Sequence, residues 1–163
     1  MIIDLSDNEL VYSKLLEVPP MAKQSTNFNA RTKRAYTSKR QKNWMFNVSL
    51  LASDSKAFPS GKHIIDYPVI AIVNYCFAYT AKFSKRDREL IEDHGGTIPK
   101  SSRPDVQDNL NKALFDSLSF LKDDSFVTDI IARKFWGVRH HIHISLYRVN
   151  VPQEISHLCH GKA

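Results

Sequence analysis

Four aspartates and one lysine in the second half of the chain have side chains and spacing suited to metal-assisted chemistry. Asp105 and Asp108 stand at the start of a segment with helical periodicity. Lys112 and Asp116 follow Asp108 at intervals of four residues, on one polar face, and Asp124 lies beyond the far end of the helix. Carboxylate oxygens suit Mg²⁺ or Mn²⁺, which leave room for water and a substrate phosphate. The cluster therefore predicts metal-assisted phosphodiester hydrolysis, with Lys112 orienting the phosphate or stabilising the transition state.

Each of these residues also has an ordinary structural explanation. Asp108 can be an N-cap, Lys112 and Asp116 can form a surface ion pair, and an Asp-Asp pair is common in turns. Taken singly, these explanations are favoured. As a group the acids are more informative, because they lie apart from a strongly basic segment. A nuclease needs this separation, since cations bind the polyanionic substrate while a few acids bind the metal.

That basic segment lies in the first third of the chain. The net charge is +6, from 23 Lys+Arg and 17 Asp+Glu, and residues 18–53 contain no acidic side chain. Aromatic and amide side chains are interleaved with the cations, a mixture that suits phosphate contact and base stacking. A solvated loop leading into an amphipathic helix explains the charge run equally well. The candidate nucleic-acid-binding residues are Lys23, Arg31, Lys33, Arg34, Lys39, Arg40 and Lys42.

Length and composition restrict the class of protein. The 163 residues, 42% hydrophobic, suit one domain with a real core. The longest apolar run, residues 67–80, is too short to cross a bilayer, and the N-terminus lacks a signal-peptide pattern, so we expect no membrane partner. Cys76 and Cys159 form no metal-type pair, which favours a reduced, cytoplasmic protein. No glycine-rich phosphate loop is visible, and no organic cofactor is expected.

The hydrophobic patterns predict an α+β fold. The expected order is β-α-β-α-β-β, a mixed sheet packed by two principal helices. Residues 1–14 are left open between a short helix and an appended arm, and residues 82–104 are expected to be a long surface loop that could include one short helix. The domain is assigned to residues 15–150 and a tail to residues 151–163. The predicted elements are a strand at 15–18, a helix at 37–51, a strand at 67–80, a helix at 109–121, and strands at 125–136 and 139–147.

The segment Arg103-Pro-Asp-Val-Gln-Asp-Asn-Leu-Asn-Lys112, with Asp123-Asp124-Ser-Phe-Val127 after it, resembles the RusA family of Holliday junction resolvases. The family pattern is a D-x-D-N-x-x-K helix start, a D-A/S-L helix middle, a D-D-x-x-V strand start and a basic residue later on that strand. The Pro-rich, basic stretch that begins at Val18 is also similar to the family's N-terminal region. The resemblance covers about residues 15–150, and its most specific part is 103–134.

The resemblance implies a homodimeric, Mg²⁺-dependent endonuclease that cuts four-way DNA junctions, often encoded by phages and prophages. It implies that Asp105, Asp108 and Asp124 bind the metal, with Mn²⁺ as a possible substitute, and that Lys112 is the active-site lysine. Residues Arg103, Asn109 and Lys134 are further candidates for contacts with DNA. Two symmetric cuts need two sites related by a two-fold axis, which also favours a homodimer.

The sequence departs from the family pattern at one point. It has Asp-Val-Gln-Asp from Asp105 to Asp108, one residue longer than D-x-D. Two acids at i and i+3 face the same way only through a bulge or a helical turn, and Gln107 could be the extruded residue. A non-catalytic branched-DNA-binding protein with a degenerate metal site is therefore the alternative function, and a nuclease for flaps or other branched DNA is a third.

His141 and His143 alternate onto one face of the last predicted strand. Two histidines on one face could begin a soft-metal site, but no cysteine or third histidine is predictably adjacent. A structural or DNA-contacting role is favoured for this pair.

Overall fold

A computed structural model describes residues 5, 8–23, 27–61, 63–94 and 98–150. The strands are β1 (Glu9–Leu16), β2 (Asn27–Asn29), β3 (Arg34–Tyr36), β4 (Val69–Ala78), β5 (Val127–Gly137) and β6 (His141–Arg148). The helices are α1 (Lys39–Ala52), α2 (Lys85–Asp93) and α3 (Lys112–Phe115). A π-helix, Val106–Asn111, runs directly into α3, and short 3-10 turns occupy Ser55–Ala57 and Asp124–Phe126.

Four strands form one mixed sheet in the order β1-β6-β4-β5. The β1–β6 and β6–β4 pairs are antiparallel, whereas β4 and β5 are parallel. β4 lies in the interior of the sheet and is buried along most of its length, as its β-branched and aromatic composition predicts. The predicted α+β class, with one mixed sheet in a single domain, is therefore confirmed.

Helix α1 covers one side of the sheet. Trp44, Val48 and Ala52 recur every four residues and are all buried, which is the periodicity that predicts this helix. The side chain of Ser38 caps the helix by accepting a hydrogen bond from the Gln41 N–H. The indole Nε1 of Trp44 donates to the Pro19 carbonyl at 2.8 Å, and this bond ties the proline-rich segment to α1.

The structure contains two elements that are missing from the predicted order β-α-β-α-β-β, a hairpin and a helix. The β2–β3 hairpin lies in the basic segment, where the absence of an apolar pattern hid two short strands. Helix α2 lies within the stretch 82–104 and accounts for the one short helix allowed there. It begins with a capping box between Ser84 and Asp87, which stabilises a helix of low hydrophobicity.

Two predicted elements have boundaries that are wrong by more than two residues. The first strand is Glu9–Leu16 instead of 15–18, because Val11 and Tyr12 are buried against the core. It therefore occupies part of the segment left open between a short helix and an arm. The helix expected at 109–121 is a π-helix followed by one turn of α-helix that ends at Phe115. Its apolar stripe is nevertheless buried, because Leu118 and Leu121 pack into the same core from the turns that follow. The predicted tail 151–163 lies outside the described residues.

No helix in the described ranges combines the length and the hydrophobicity needed to span a bilayer.

The histidines of β6 lie on the side of the sheet away from the buried Ile142 and Ile144, as strand alternation predicts. His143 is half-buried, and its Nε2 lies 3.4 Å from the Ser13 hydroxyl on β1. Burial lowers the pKa of His143 by disfavouring the imidazolium, and the neighbouring His141 lowers it further.

The lowered pKa of His143 predicts that acidification destabilises the fold. Below the unfolded value of about 6.5 the unfolded chain binds a proton that the native imidazole resists, so stability falls as pH falls. The melting temperature should therefore be lower at about pH 5.5 than at about pH 7.5, and His143→Gln should shrink that difference. Thermal unfolding at the two pH values measures it, with His63→Gln as the control. An equally large difference in His143→Gln would contradict the assignment.

Candidate active site

The π-helix absorbs the extra residue between Asp105 and Asp108. The Leu110 N–H donates to the Asp105 carbonyl at 3.4 Å, a bond that spans five residues instead of the four of an α-helix. Gln107 is exposed on this wide turn, and Leu110 is fully buried beneath it. The insertion is thus accommodated by a helical turn of the π type, not by a β-bulge. Single π-turns of this kind occur frequently at functional sites.

Three contacts fix the π-helix in place. The Tyr75 hydroxyl, projecting from β4, donates to Asn111 Oδ1 at 2.8 Å in the core. The Lys23 backbone N–H donates to the Asn109 carbonyl at 3.0 Å, which joins the proline-rich segment to the same helix. Leu110 packs between these two bonds as a core residue. The turn that carries Asp108 is therefore held to the sheet on one side and to the N-terminal segment on the other.

Tyr75→Phe should lower the free energy of unfolding by about 1–3 kcal/mol. The substitution leaves Asn111 Oδ1 without its donor, and Asn111 is only 6% exposed. Urea denaturation measures the change. Tyr36→Phe is the matched control, because Tyr36 is 50% exposed and its change should be close to zero. A Tyr75→Phe protein as stable as the wild type would contradict the importance of this bond.

Asp105 caps the helical segment. Its Oδ1 accepts a hydrogen bond from the Asn109 backbone N–H at 3.2 Å, and its Oδ2 accepts one from Asn109 Nδ2 at 2.5 Å. The N-cap role that the sequence offered to Asp108 is therefore wrong, because Asp108 lies within the π-helix. The side chain of Asp108 is outside the described part of the chain.

Lys112 links the remaining two carboxylates. Its Nζ lies 3.0 Å from Asp124 Oδ2 and 3.5 Å from Asp116 Oδ1. Lys23 Nζ lies 2.6 Å from the other oxygen of Asp116, so two lysines and two aspartates alternate in one row. The hydrogen bond that Lys112 donates to Asp124 raises the pKa of Lys112, and the charge of Asp116 raises it further. Lys112 is therefore a cation at neutral pH, and it lies beside Asp124.

Asp123, the neighbour of Asp124, has a structural role. Its Oδ1 accepts a hydrogen bond from the Ser125 backbone N–H at 2.9 Å and caps the 3-10 turn before β5. Hydrogen bonds from the Ser125 hydroxyl and backbone lower the pKa of Asp123. Of the Asp-Asp pair, only Asp124 contacts Lys112.

The described side chains form no group of three His, Cys, Asp or Glu residues close enough to hold a metal ion. Asp105 is engaged with Asn109 at the start of the π-helix, whereas Asp124 contacts Lys112 at its end. Asp108 lies on the turn between these two positions. His141 and His143 have no third ligand among the described residues either.

A pocket of about 610 Å³ opens beside Asp105. It lies where the proline-rich segment, the start of α1 and the turn before the π-helix meet. Three cations and one carboxylate line it, so its charge suits a phosphodiester. We call it the basic pocket; its polar lining residues are Lys23, Arg40, Arg103, Asp105 and Asn109.

The other cations predicted to bind nucleic acid are distributed around the hairpin and α1. Arg31 and Lys33 are exposed in the turn between β2 and β3, where Lys33 has a φ of 52°. Lys39 and Lys42 are exposed on α1. Arg34 lies on β3, and its side chain is not among those described.

Lys134, the remaining predicted DNA contact, binds the backbone just before Asp105. Its Nζ donates to the Ser102 carbonyl at 2.8 Å and to the Pro104 carbonyl at 2.6 Å. It therefore supports the turn that leads into Asp105.

Sequence reasoning missed three residues that support the site. Lys100 lies in the segment read as surface loop, and nothing in its composition marks a buried lysine. Tyr75 and Asn111 carried a weak signal, because strand alternation places Tyr75 on the same face as the buried Ala71 and Val73. The hydrogen bond between Tyr75 and Asn111 forms only when the π-helix packs on β4, and that packing cannot be derived from the sequence.

Comparison with known proteins gives one finding. The sequence model described as endodeoxyribonuclease RusA matches residues 17–147 of the 163 residues, which include the basic pocket and the row of lysines and aspartates. No curated protein matches the chain.

Proposed function

Because the chain belongs to the RusA family of endodeoxyribonucleases, we propose that it is a Mg²⁺-dependent endonuclease that resolves four-way DNA junctions. The observation that carries the proposal is that a basic surface and a group of carboxylates meet at the π-helix. The basic pocket, suited to the DNA backbone, ends at Asp105. The carboxylate of Asp116 lies at the end of α3, and that of Asp124 meets Lys112 from the turn before β5.

The donor chemistry of the three predicted ligands suits a hard divalent cation. Their donors are carboxylate oxygens, which Mg²⁺ prefers, and both Asp105 and Asp124 are exposed to incoming ligand. Asp124 already accepts a hydrogen bond from a cation, the ammonium of Lys112. Asp105, Asp108 and Asp124 would hold the metal, and Mn²⁺ would replace Mg²⁺. When bound, the ion lowers the pKa of water and neutralises charge that develops on the phosphate.

The chain's own residues supply binding and orientation. Arg40 and Arg103 in the basic pocket would bind backbone phosphates, and Arg presents paired donors that match phosphate oxygens. Lys112 stays protonated and is aimed by Asp116 and Asp124, so its ammonium would stabilise charge on the scissile phosphate. The exposed cations of the hairpin and α1 would extend the contact along the duplex arms.

A homodimer follows from the symmetry of the substrate. A four-way junction presents two equivalent strands, and one chain offers one set of catalytic side chains. Two copies related by a two-fold axis would place one set at each strand.

A second candidate function is binding of branched DNA without cleavage. Both oxygens of Asp105 accept hydrogen bonds from Asn109, and this geometry favours a helix cap over a metal ligand. In that case the basic pocket would bind DNA, and the carboxylates would be structural.

Asp108→Asn separates the two functions. The enzyme proposal expects cleavage of a labelled four-way junction in Mg²⁺ to fall at least about 100-fold, since even the loss of a ligand's supporting partner costs 10–100-fold. Junction binding in EDTA should persist or tighten because one negative charge near the phosphates is removed. Asp93→Asn, at the exposed end of α2, is the matched control and should cleave at the wild-type rate. A wild-type protein that binds the junction but leaves it uncut in Mg²⁺ and Mn²⁺ would support the binding function instead.

A further inference from the structure

Lys100 is an almost fully buried lysine outside the predicted site. It is 6% exposed, and its Nζ lies 5.0 Å from the ring centroid of Phe77 and 4.8 Å from that of Trp136. Burial lowers the pKa of Lys100, and the charge of Lys134 lowers it further. No carboxylate of the described residues lies within ion-pair distance of its ammonium. A buried ammonium is unfavourable unless its donors are satisfied, so the groups that satisfy it are the informative feature.

Those groups belong to the turn that precedes Asp105. Lys100 Nζ donates to the Ser102 carbonyl at 3.1 Å, to the Ser102 hydroxyl at 2.5 Å and to the Arg103 carbonyl at 2.6 Å. Lys134 donates to the Ser102 carbonyl and to the Pro104 carbonyl. Two lysines therefore hold the carbonyls of three consecutive residues, immediately before the aspartate. We call this arrangement the lysine clamp.

The clamp is anchored to the sheet. The Lys100 backbone N–H donates to the Lys134 carbonyl at 3.1 Å, and the Trp136 N–H donates to the Ile98 carbonyl at 2.9 Å, so residues 98–100 pair along β5. Pro99 and Phe135 form the bridge between these two bonds. The turn itself has no regular structure and is largely exposed, so side chains must provide the rigidity that a helix or strand would give it.

We propose that Lys100 is a positioning residue: through the carbonyls of the clamp it fixes Arg103 in the basic pocket and Asp105 at the start of the π-helix. Its role is to set the position from which the Asp105 carboxylate would bind the metal and the Arg103 guanidinium would bind phosphate. Lys134 shares the same role from β5. The predicted effect of Lys100 on metal binding rests on the proposed function, whereas its predicted effect on the turn does not.

Lys100→Met keeps the apolar stem and removes the ammonium. Hydrogen exchange across residues 101–112 should accelerate at least about tenfold, because the carbonyls lose their donors while β1 and β6 keep their protection. Mn²⁺ binding to the DNA-free protein, measured by calorimetry, should weaken about 10–100-fold, as expected for the loss of a supporting partner. Val48→Ala, which opens a core cavity on α1 and makes none of the clamp's hydrogen bonds, controls for general destabilisation and should leave Mn²⁺ affinity unchanged.

Lys134→Met keeps the proposal testable if Lys100→Met fails to fold, because Lys134 is only partly buried. The clamp predicts faster exchange over residues 101–112, together with any loss of junction affinity in EDTA that follows from a loosened Arg103. A direct DNA contact alone predicts weaker junction binding with unchanged exchange, and that result would overturn the inference for Lys134.

The failure of this inference and that of the proposed function have different signatures. Unchanged exchange across residues 101–112 in Lys100→Met would overturn the positioning role, whatever the wild type cleaves. A wild-type protein that binds no Mn²⁺ and cuts no junction would overturn the proposed function, and the exchange measurement would still decide whether Lys100 holds the turn.

Discussion

Asp124→Asn is expected to lower the rate of junction cleavage in Mg²⁺ at least about 100-fold while junction binding in EDTA is retained. Asp124 is the described carboxylate that combines exposure, a position before β5 and a hydrogen bond from Lys112. The amide keeps the size of the side chain but removes a negative ligand from the metal. It also removes the hydrogen bond from Lys112 to a carboxylate, which raises the pKa of that lysine.

The matched control is the adjacent Asp123→Asn. Asp123 caps the turn before β5 through the Ser125 N–H, and an asparagine oxygen can accept the same bond. This variant should cleave within about threefold of the wild type, since the substitution affects only the cap of the turn and an asparagine can still provide that cap. Equal losses in the two variants would show that the Asp-Asp pair acts through folding, and a fully active Asp124→Asn would remove Asp124 from the metal site.

Deletion of Gln107 is expected to lower junction cleavage about 100-fold, even though it restores the shorter spacing of the family pattern. The π-turn is fixed on both sides of the deleted residue, by the lysine clamp before Asp105 and by the Tyr75 bond to Asn111. A chain shortened by one residue cannot keep both sets of contacts. Either Asp105 or Asn111 must move, and misplacement by about 1 Å is enough for a loss of this size.

Gln107→Ala separates the length of the chain from the side chain. Gln107 is exposed, so the substitution should leave cleavage within about twofold of the wild type. Single-turnover cleavage of a labelled junction measures both variants. A deletion variant that cuts faster than the wild type would show that the insertion damages the site and that the π-helix is not needed to position the catalytic residues.

Periodicity made much of the fold predictable. The buried positions Trp44 and Val48 recur at helical spacing, and the alternation of Ile142, Ile144 and Leu146 places β6 with one buried face. The helix predicted over residues 109–121 shows the limit of this reasoning. Leu118 and Leu121 occupy the core from turns, because a buried stripe records which side chains face the sheet and not the hydrogen-bonding pattern of the backbone.

The residue types of the site were predictable, and so was one of their contacts, but the other contacts were not. Lys112 and Asp116 pair at i and i+4, as helical geometry requires, and Asp124 meets Lys112 across a tertiary contact. The contacts of Lys134 could not be predicted, because its partners are backbone carbonyls, which leave no trace in the sequence. The burial of Lys100 was hidden because it depends on Phe77 and Trp136, which come from two different strands.

The extra residue between Asp105 and Asp108 could be resolved only in three dimensions. The sequence allowed a bulge or a helical turn, and the five-residue hydrogen bond from Leu110 to Asp105 identifies a π-turn. Its neighbours determine that outcome, because Leu110 must reach the core while Asn111 reaches Tyr75.

The central claim is metal-dependent cutting of a branched DNA, and one gel tests it directly. Labelled four-way junction, flap and linear duplex of matched sequence are incubated with the wild-type protein in Mg²⁺ and in EDTA. The proposed function predicts paired cuts at symmetric positions in two opposing strands of the junction, only in Mg²⁺, with the duplex intact. A junction that is bound yet remains uncut in both Mg²⁺ and Mn²⁺ would contradict it.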